Sequence, residues 1–234
     1  RRKPSFLQND IYVSTALLTT YTKCGALREA LDVFQRIPSR NIVSWNSLIS
    51  GYAQLGLGHE ALHCFKQMKE EAALVPNVVT FLCVLKACTS IQCAKMGEEI
   101  YAEVRKKGLL EENVVLGNAV LDMYAKCGRF EEAQEVFDAL LVRDIVSWNA
   151  LVSGYVDHGY SKEAVDCYEL MQLEGVSPDS ITFACTLKAC GSIGCIEMGE
   201  EIHAQVRKQG LLVKNVILGT ALVDMYTNCG ALIN

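Results

Sequence analysis

The sequence lacks the features that define several protein classes. No apolar run approaches the roughly 18–20 residues of a membrane-spanning helix, so it predicts no contact with a membrane. Only four of the 234 residues are proline and 17 are glycine, which excludes a collagen-like or low-complexity chain. Half of the residues are hydrophobic, so the chain can bury a substantial core and is not intrinsically disordered.

An excess of positive charge is also missing. The 22 Lys and Arg residues against 27 Asp and Glu give a net charge of −5, which does not by itself indicate a nucleic-acid-binding protein. The 11 cysteines are an odd number and too few for a disulfide scaffold, so they favour a reducing compartment. The sequence starts without Met and ends inside a recurring motif, and we interpret it as a fragment of a longer protein.

Three motifs recur along the chain. The sequence NIVSWNSLISGYAQLGLGHEAL at Asn41–Leu62 returns as DIVSWNALVSGYVDHGYSKEAV at Asp144–Val165. A second segment, Val79–Leu110, returns with few changes at Ile181–Leu212. The short motif YTKCG, YAKCG or YTNCG starts at Tyr21, Tyr124 and Tyr226. Such internal repetition predicts an array of similar structural units.

The repeats divide the chain into units of about 31 to 36 residues, with a short unit followed by two longer ones. The first of the two longer units is called P-type and the second is called long. The division is 11–41 (short), 42–77 (P-type), 78–113 (long), 114–144 (short), 145–179 (P-type), 180–215 (long) and 216–234 (truncated short). Residues 1–10 are interpreted as a partial preceding repeat or a linker. We expect no domain boundary within such an array.

Each unit has the pattern of a helical hairpin. In the unit 145–179, apolar residues follow a helical period from Ile145 to Tyr155, and Gly159 interrupts the pattern. A second helical pattern then runs to Gly175, which ends it. Because one hairpin cannot bury both of its faces, neighbouring hairpins must stack. The fold class predicted is an all-α solenoid.

These motifs resemble a known family. The segments VSWNSLISGYAQ, VLKAC…MGEEIYAEV and LGNAVLDMYAKCG are similar to pentatricopeptide repeats, and in particular to the plant PLS subclass of organellar RNA-editing factors. The resemblance implies a right-handed α-superhelix that binds single-stranded RNA, about one base per repeat. It also implies a location in mitochondria or chloroplasts and editing cofactor proteins as partners.

The resemblance assigns base reading to the fifth and last residues of each unit. The pairs are Thr15 with Asn41 (adenine), Asn46 with Asn77 (a pyrimidine, cytosine favoured), Asn118 with Asp144 and Asn149 with Asp179 (both uracil), and Thr220 (a purine). The second residues, which the resemblance places between bases, are Tyr12, Val43, Val115, Val146 and Ile217. The expected RNA core, 5′ to 3′, is A-Y-N-U-U-N-R.

The long units depart from this pattern. Their fifth residues are Leu82 and Ala184, and their last residues are Asn113 and Asn215. Because neither leucine nor alanine can form a hydrogen bond with a base edge, we interpret these positions as spacers or weak selectors.

The location of the charges makes the negative net charge compatible with RNA binding. The first helices of the units carry four lysines and three aspartates: Lys23, Lys86, Lys126 and Lys188, against Asp122, Asp157 and Asp224. The remaining acidic excess lies in second helices and connectors. Few phosphate contacts are therefore expected, with a shallow dependence of binding on salt.

Parts of the sequence are compatible with two other functions. A protein-binding solenoid of the tetratricopeptide type is the alternative, and it predicts arbitrary fifth and last residues. A zinc enzyme is suggested by the HExxH motif at His59–His63, but the next repeat has Lys162 and Asp166 at the two histidine positions, so the motif is interpreted as packing. No catalytic residue, cofactor or metal site is expected, and a C-to-U deaminase would need a further domain.

The cysteines and tryptophans are expected in the core. Successive cysteines of the long units are five residues apart and so do not share a helix face. We expect them, and the Cys24, Cys127 and Cys229 of the YxxCG motifs, to be buried as small hydrophobic residues. Trp45 and Trp148 lie on apolar stripes and are interpreted as core residues.

Overall fold

The computed structural model describes residues 11–70, 73–213 and 215–231. The segment 1–10, interpreted as a partial repeat or linker, lies outside these ranges. Among the described residues the regular structure is helical throughout, with no strand. The helices are α1 (Ile11–Lys23), α2 (Leu27–Arg36), α3 (Ile42–Gln54), α4 (Gly58–Glu70), α5 (Val78–Ser90), α6 (Ala94–Lys106), α7 (Leu109–Glu112), α8 (Val114–Lys126), α9 (Phe130–Ala139), α10 (Ile145–Asp157), α11 (Ser161–Leu173), α12 (Ser180–Ile193), α13 (Ile196–Lys208) and α14 (Val216–Asn228).

The helices are arranged as sequential hairpins, which confirms the all-α fold class. In the unit 145–179, α10 and α11 flank Gly159, whose φ of 80° lies in the left-handed region that glycine adopts without a steric penalty. The helix α11 ends shortly before Gly175, whose φ is 76°. These are the two glycines expected to interrupt the helical pattern.

The described repeats group into two compact units, called the first unit (up to residue 123) and the second unit (from residue 124), with the division inside α8. The division falls within one continuous helix, so the expectation of an array without a domain boundary stays a prediction. Two compact units can arise in such an array because a repeat contacts only its neighbours and there is no single central core.

In the first unit the first helices of successive repeats pack in a row, α1 against α3 and α3 against α5. Trp45 is 3% exposed and meets Phe34 of α2 edge to face, with ring centroids 4.8 Å apart. Gly51 lies so close to Thr22 that a Cβ atom would approach the threonine side chain to 2.7 Å. The absence of a side chain at Gly51 thus permits the close approach of α1 and α3.

The second unit repeats this packing, with α10 against α12 and α12 against α14. Trp148 is fully buried and meets Phe137 edge to face at 4.7 Å. Gly154 lies against Ala125, and a Cβ atom there would approach the Ala125 Cβ to 2.7 Å. Both tryptophans are therefore core residues, as expected.

The cysteines are free thiols, but the expectation that all lie in the core is wrong. Cys88 and Cys190 are buried, whereas Cys83, Cys185, Cys127 and Cys229 are half-buried and Cys24 is exposed. Cys24 directly follows the last residue of α1, where no described element covers its side chain. Burial raises the pKa of the Cys190 thiol to about 12, so this thiol stays protonated at neutral pH.

Neither a metal-binding cluster nor a membrane-spanning helix occurs among the described residues. No group of three or more His, Cys, Asp or Glu side chains is placed to hold a metal ion, including around His59 and His63. None of the described helices has both the length and the hydropathy needed to span a bilayer.

Candidate nucleic-acid interface

The last residue of each complete repeat caps the first helix of the next one. In six successive repeats its side-chain oxygen accepts a hydrogen bond from the backbone N–H three residues later. These pairs are Asn41 with Ser44, Asn77 with Thr80, Asn113 with Leu116, Asp144 with Ser147, Asp179 with Thr182 and Asn215 with Leu218. Helix capping therefore gives a structural reason for Asn and Asp at these positions.

In the second unit, the cap also binds the fifth residue of its own repeat. Asn149 Nδ2 on α10 donates to Asp179 Oδ1 over 3.1 Å. The hydroxyl of Thr182 lies 2.7 Å from Asn149 Oδ1 and 3.0 Å from Asp179 Oδ1. Because a carboxylate only accepts hydrogen bonds, Asp179 fixes which way the Asn149 amide faces.

The first unit contains the same arrangement. Asn46 Nδ2 on α3 donates to Asn77 Oδ1 over 3.2 Å, and the Thr80 hydroxyl donates to Asn46 Oδ1 over 2.8 Å. The backbone N–H of Thr80, which can only donate, requires the oxygen of the Asn77 amide on its side. The Asn77 amide nitrogen therefore faces away from the cap.

The Asp179 carboxylate is held in its charged form. Partial burial raises its pKa, while hydrogen bonds from the Thr182 N–H, the Asn149 amide, the Thr182 hydroxyl and the Ile181 N–H lower it. The net result is a pKa below the ordinary aspartate value. All of the hydrogen bonds seen for this carboxylate within the described chain engage Oδ1, which leaves Oδ2 available as an acceptor.

The other base-reading candidates are Thr15, Asn118 and Thr220. The Thr15 hydroxyl donates to the Ile11 carbonyl over 2.6 Å, and no hydrogen bond joins it to Asn41 among the described contacts. Asn118 is buried on α8. Thr220 is exposed on α14 and its hydroxyl donates to the Val216 carbonyl over 3.1 Å. Direct hydrogen bonds are therefore seen in the two P-type pairs, Asn46 with Asn77 and Asn149 with Asp179.

Exposed apolar side chains occupy the second position of all seven repeats and form one row in each unit. Exposure ranges from 52% for Val43 and Val79 to 84% for Tyr12. The set is Tyr12, Val43, Val79, Val115, Val146, Ile181 and Ile217. Burial into the core does not explain these hydrophobic residues, because each first helix buries other faces.

A groove of about 620 Å³ lies in the second unit along α10, α12 and α14. Two predicted base contacts, Ile217 and Thr220, line it together with the spacer Ala184. Its charged lining residues are Lys188, Asp157 and Asp224. The second, fifth and ninth residues of neighbouring repeats therefore share one surface.

Sequence reasoning missed two sets of residues at this interface. The cap-supporting Thr80 and Thr182 complete capping boxes with Asn77 and Asp179, and the three-residue spacing was a visible signal. Val79 and Ile181 of the long repeats were also missed, although they occupy the second position as Val43 and Val146 do.

Comparison with family models decides the family. The model described as the PPR repeat family matches residues 40–90 and 143–192, and the model described as the PPR repeat matches residues 12–42 and 118–145. The chain belongs to the pentatricopeptide repeat (PPR) family. The two models together cover more than half of the chain.

The curated PPR relatives are plant proteins. A chloroplastic pentatricopeptide repeat-containing protein of Arabidopsis thaliana is 37% identical over 96% of this chain and 36% of its own length. A mitochondrial one from the same plant is 35% identical over 96% of this chain and 22% of its own length. The chain thus spans about a third or less of these two relatives.

Solved PPR structures share the fold. The crystal structure of PPR10 from maize has a TM-score of 0.74, with 23% identity over 96% of this chain and 33% of the PPR10 chain. PPR10 in complex with an 18-nt psaJ RNA element has a TM-score of 0.68, with 22% identity over 82% of this chain and 29% of that chain. The likeness establishes a PPR-type helical solenoid for this chain.

Proposed function

We propose that this PPR chain binds single-stranded RNA sequence-specifically, with about one base per repeat. The observation that carries the proposal is the hydrogen bond between the fifth and last residues in both P-type repeats, Asn46 with Asn77 and Asn149 with Asp179. Capping requires only the last residue, so it does not explain why a fifth-position amide joins the cap. Family membership and the RNA complex of PPR10 support the same function.

The hydrogen-bonding groups of each pair that are not used within the protein suggest which base the pair prefers. Asp179 offers a carboxylate oxygen, which can accept a hydrogen bond from N3–H of uracil. Asn77 instead offers its amide nitrogen, which can donate to N3 of cytosine. This chemistry agrees with uracil for Asn149 with Asp179 and cytosine for Asn46 with Asn77.

The other repeats complete the proposed site. Thr15 with Asn41 selects adenine, Asn118 with Asp144 selects uracil, and Thr220 selects a purine, which gives A-Y-N-U-U-N-R from 5′ to 3′. The exposed apolar row would pack against base faces, which is a sequence-tolerant contact. Because the row includes Val79 and Ile181, we propose that the long repeats also hold a base without reading it.

The wider role extends this proposal. The alternation of short, P-type and long repeats supports the PLS subclass, and hence an RNA-editing or RNA-processing factor that acts with editing cofactor proteins. The chloroplastic and mitochondrial relatives support an organellar location. In this proposal the chain recognises the site, and catalysis belongs to another domain or protein.

The proposal is tested by fluorescence anisotropy with the 234-residue chain. The probes are RNAs containing A-C-A-U-U-A-G, the same RNA with both uracils replaced by adenine, and a duplex of the first sequence. Each mismatched base should cost about 1–3 kcal/mol, so the double mismatch should bind at least tenfold more weakly. Equal binding of all three probes would contradict sequence-specific recognition of a single strand, and binding of a protein partner without RNA would favour the tetratricopeptide-type function.

A further inference from the structure

Each long repeat carries one lysine on its first helix, at the same position. Lys86 lies on α5 and Lys188 on α12, in the recurring motif LKAC. Each follows the fifth residue of its repeat, Leu82 or Ala184, by four residues. Residues four apart on a helix lie on one face, one turn from each other, so each lysine lies beside the position where a base would be read.

We propose that Lys86 and Lys188 bind the phosphate backbone of the RNA. The long repeats would then contribute affinity through the backbone of the strand rather than base selection. This inference rests on the proposed RNA-binding function.

The surroundings of the two lysines support a phosphate contact. Both side chains are exposed, and neither forms an ion pair with a carboxylate within the described residues. Lys188 lines the groove that Ile217 and Thr220 also line, so this residue lies along the proposed RNA path. A lysine is a compact charge with three donors and no base preference, which suits a phosphate.

The charge of the groove makes Lys188 important there. Asp157 and Asp224 line the same groove, and Lys188 is the one cation among its described lining residues. Without Lys188 this surface would carry only negative charge and would repel the phosphates of a bound strand. The lysine therefore offsets an unfavourable field at the place where the chain lacks a polar fifth residue.

The test measures the affinity of Lys86→Gln, Lys188→Gln and the double variant for RNA containing A-C-A-U-U-A-G, between 50 and 300 mM NaCl. For a single strand, each lost phosphate contact makes the negative slope of log K against log salt shallower by about 0.7. This change corresponds to about a fivefold loss of affinity at 0.1 M salt. The double variant should lose about 1.4 in slope. The loss should be equal for the matched RNA and for the RNA with both uracils replaced.

Lys66→Gln on α4 and Lys162→Gln on α11 are the matched controls, since both residues are exposed on second helices. These controls should change the affinity less than twofold. The inference is overturned if Lys86→Gln and Lys188→Gln weaken binding no more than the controls, or if they alter base preference. If the wild-type chain binds selectively while the variants keep its salt slope, this inference alone fails; if the wild-type chain does not bind RNA, the proposed function fails with it.

Discussion

Asn149 donates a hydrogen bond to Asp179 over 3.1 Å, although 30 residues separate them in sequence. The same bond, at 3.2 Å, joins Asn46 to Asn77 in the earlier P-type repeat. In both cases the acceptor is also the N-cap of the following helix. The residue pair proposed to select a base is therefore built on the junction between two repeats.

Replacement of Asp by Asn at the capping position should change the base that the repeat prefers. Asp179→Asn replaces the free carboxylate oxygen by an amide donor, so the fifth repeat should change from uracil towards cytosine. Asn and Asp cap helices about equally well, so the fold should be retained. Competition between RNAs that differ only at this base provides the measurement.

The reciprocal substitution is the control for that exchange. Asn77→Asp should move the second repeat from cytosine towards uracil and leave the fifth repeat unchanged. If either variant keeps the wild-type order of the four bases, the assignment of base selection to the cap is wrong.

Thr182 should stabilise both the helix and the orientation of the amide. Its hydroxyl accepts from the Asp179 N–H and contacts Asn149 Oδ1, and the side chain is fully buried. Thr182→Val leaves these groups without their partner, so the free energy of unfolding should fall by about 1–2 kcal/mol. Discrimination against a mismatch at the fifth repeat should fall as well.

Thr186→Val serves as the matched comparison in chemical denaturation and RNA competition. The Thr186 hydroxyl is also buried but donates only to the Thr182 carbonyl of its own helix. Its loss should change stability by about 0.5 kcal/mol or less and leave base discrimination intact. Similar effects of the two substitutions would contradict the role given to Thr182.

The Asp179 carboxylate should stabilise the fold down to unusually low pH. Its pKa is lower in the folded chain than in the unfolded chain, so its stabilising contribution is complete above about pH 4. This contribution is lost as the pH falls through the lower, folded-state pKa. The difference in unfolding free energy between wild type and Asp179→Asn should thus stay constant from pH 7 to about pH 4 and shrink below it. A difference that already shrinks between pH 6 and 5 would refute this assignment.

Gly154 should be required for the spacing of neighbouring first helices. A Cβ atom there would meet the Ala125 Cβ at 2.7 Å and the Ala125 backbone carbon at 3.2 Å. Despite the higher helix propensity of alanine, Gly154→Ala should destabilise the chain by about 1–2 kcal/mol. In Gly219→Ala, on a helix with open space at the Cβ position, stability should instead rise by about 0.5–1 kcal/mol. Thermal unfolding of both variants checks this contrast.

Ile181 should contact RNA although its repeat does not read a base. The side chain is 56% exposed in the same row as Val146. Ile181→Asp should leave stability nearly unchanged and weaken RNA binding by about 1 kcal/mol or more. Leu173→Asp changes a side chain that is 83% exposed at the end of α11 and should not affect binding. Equal affinities of the two variants would exclude a base contact by the long repeat.

Much of the fold could be predicted from the sequence because helical periodicity and glycine placement act locally. Gly159 and Gly175 ended the helical patterns where the backbone turns, and Trp148 lies in the core. Burial of Cys24 was predicted wrongly, because burial depends on which elements cover a residue and not on its own type.

The candidate site was less accessible to sequence reasoning. The residue types at positions 149 and 179 suggested a pair, but the hydrogen bond between them depends on how two helices pack. The sequence did not indicate that Thr182 orients the Asn149 amide, since a buried threonine near a helix start is usually assigned to packing or capping alone. The acceptor left free on Asp179 became visible only once its other hydrogen bonds were known.

Selection from a random seven-nucleotide RNA pool by the wild-type chain tests the central claim most directly. The account predicts enrichment of A-Y-N-U-U-N-R, with the two adjacent uracils the most strongly selected positions. Retention of RNA without enrichment at these two positions would contradict base reading by Asn118 with Asp144 and Asn149 with Asp179.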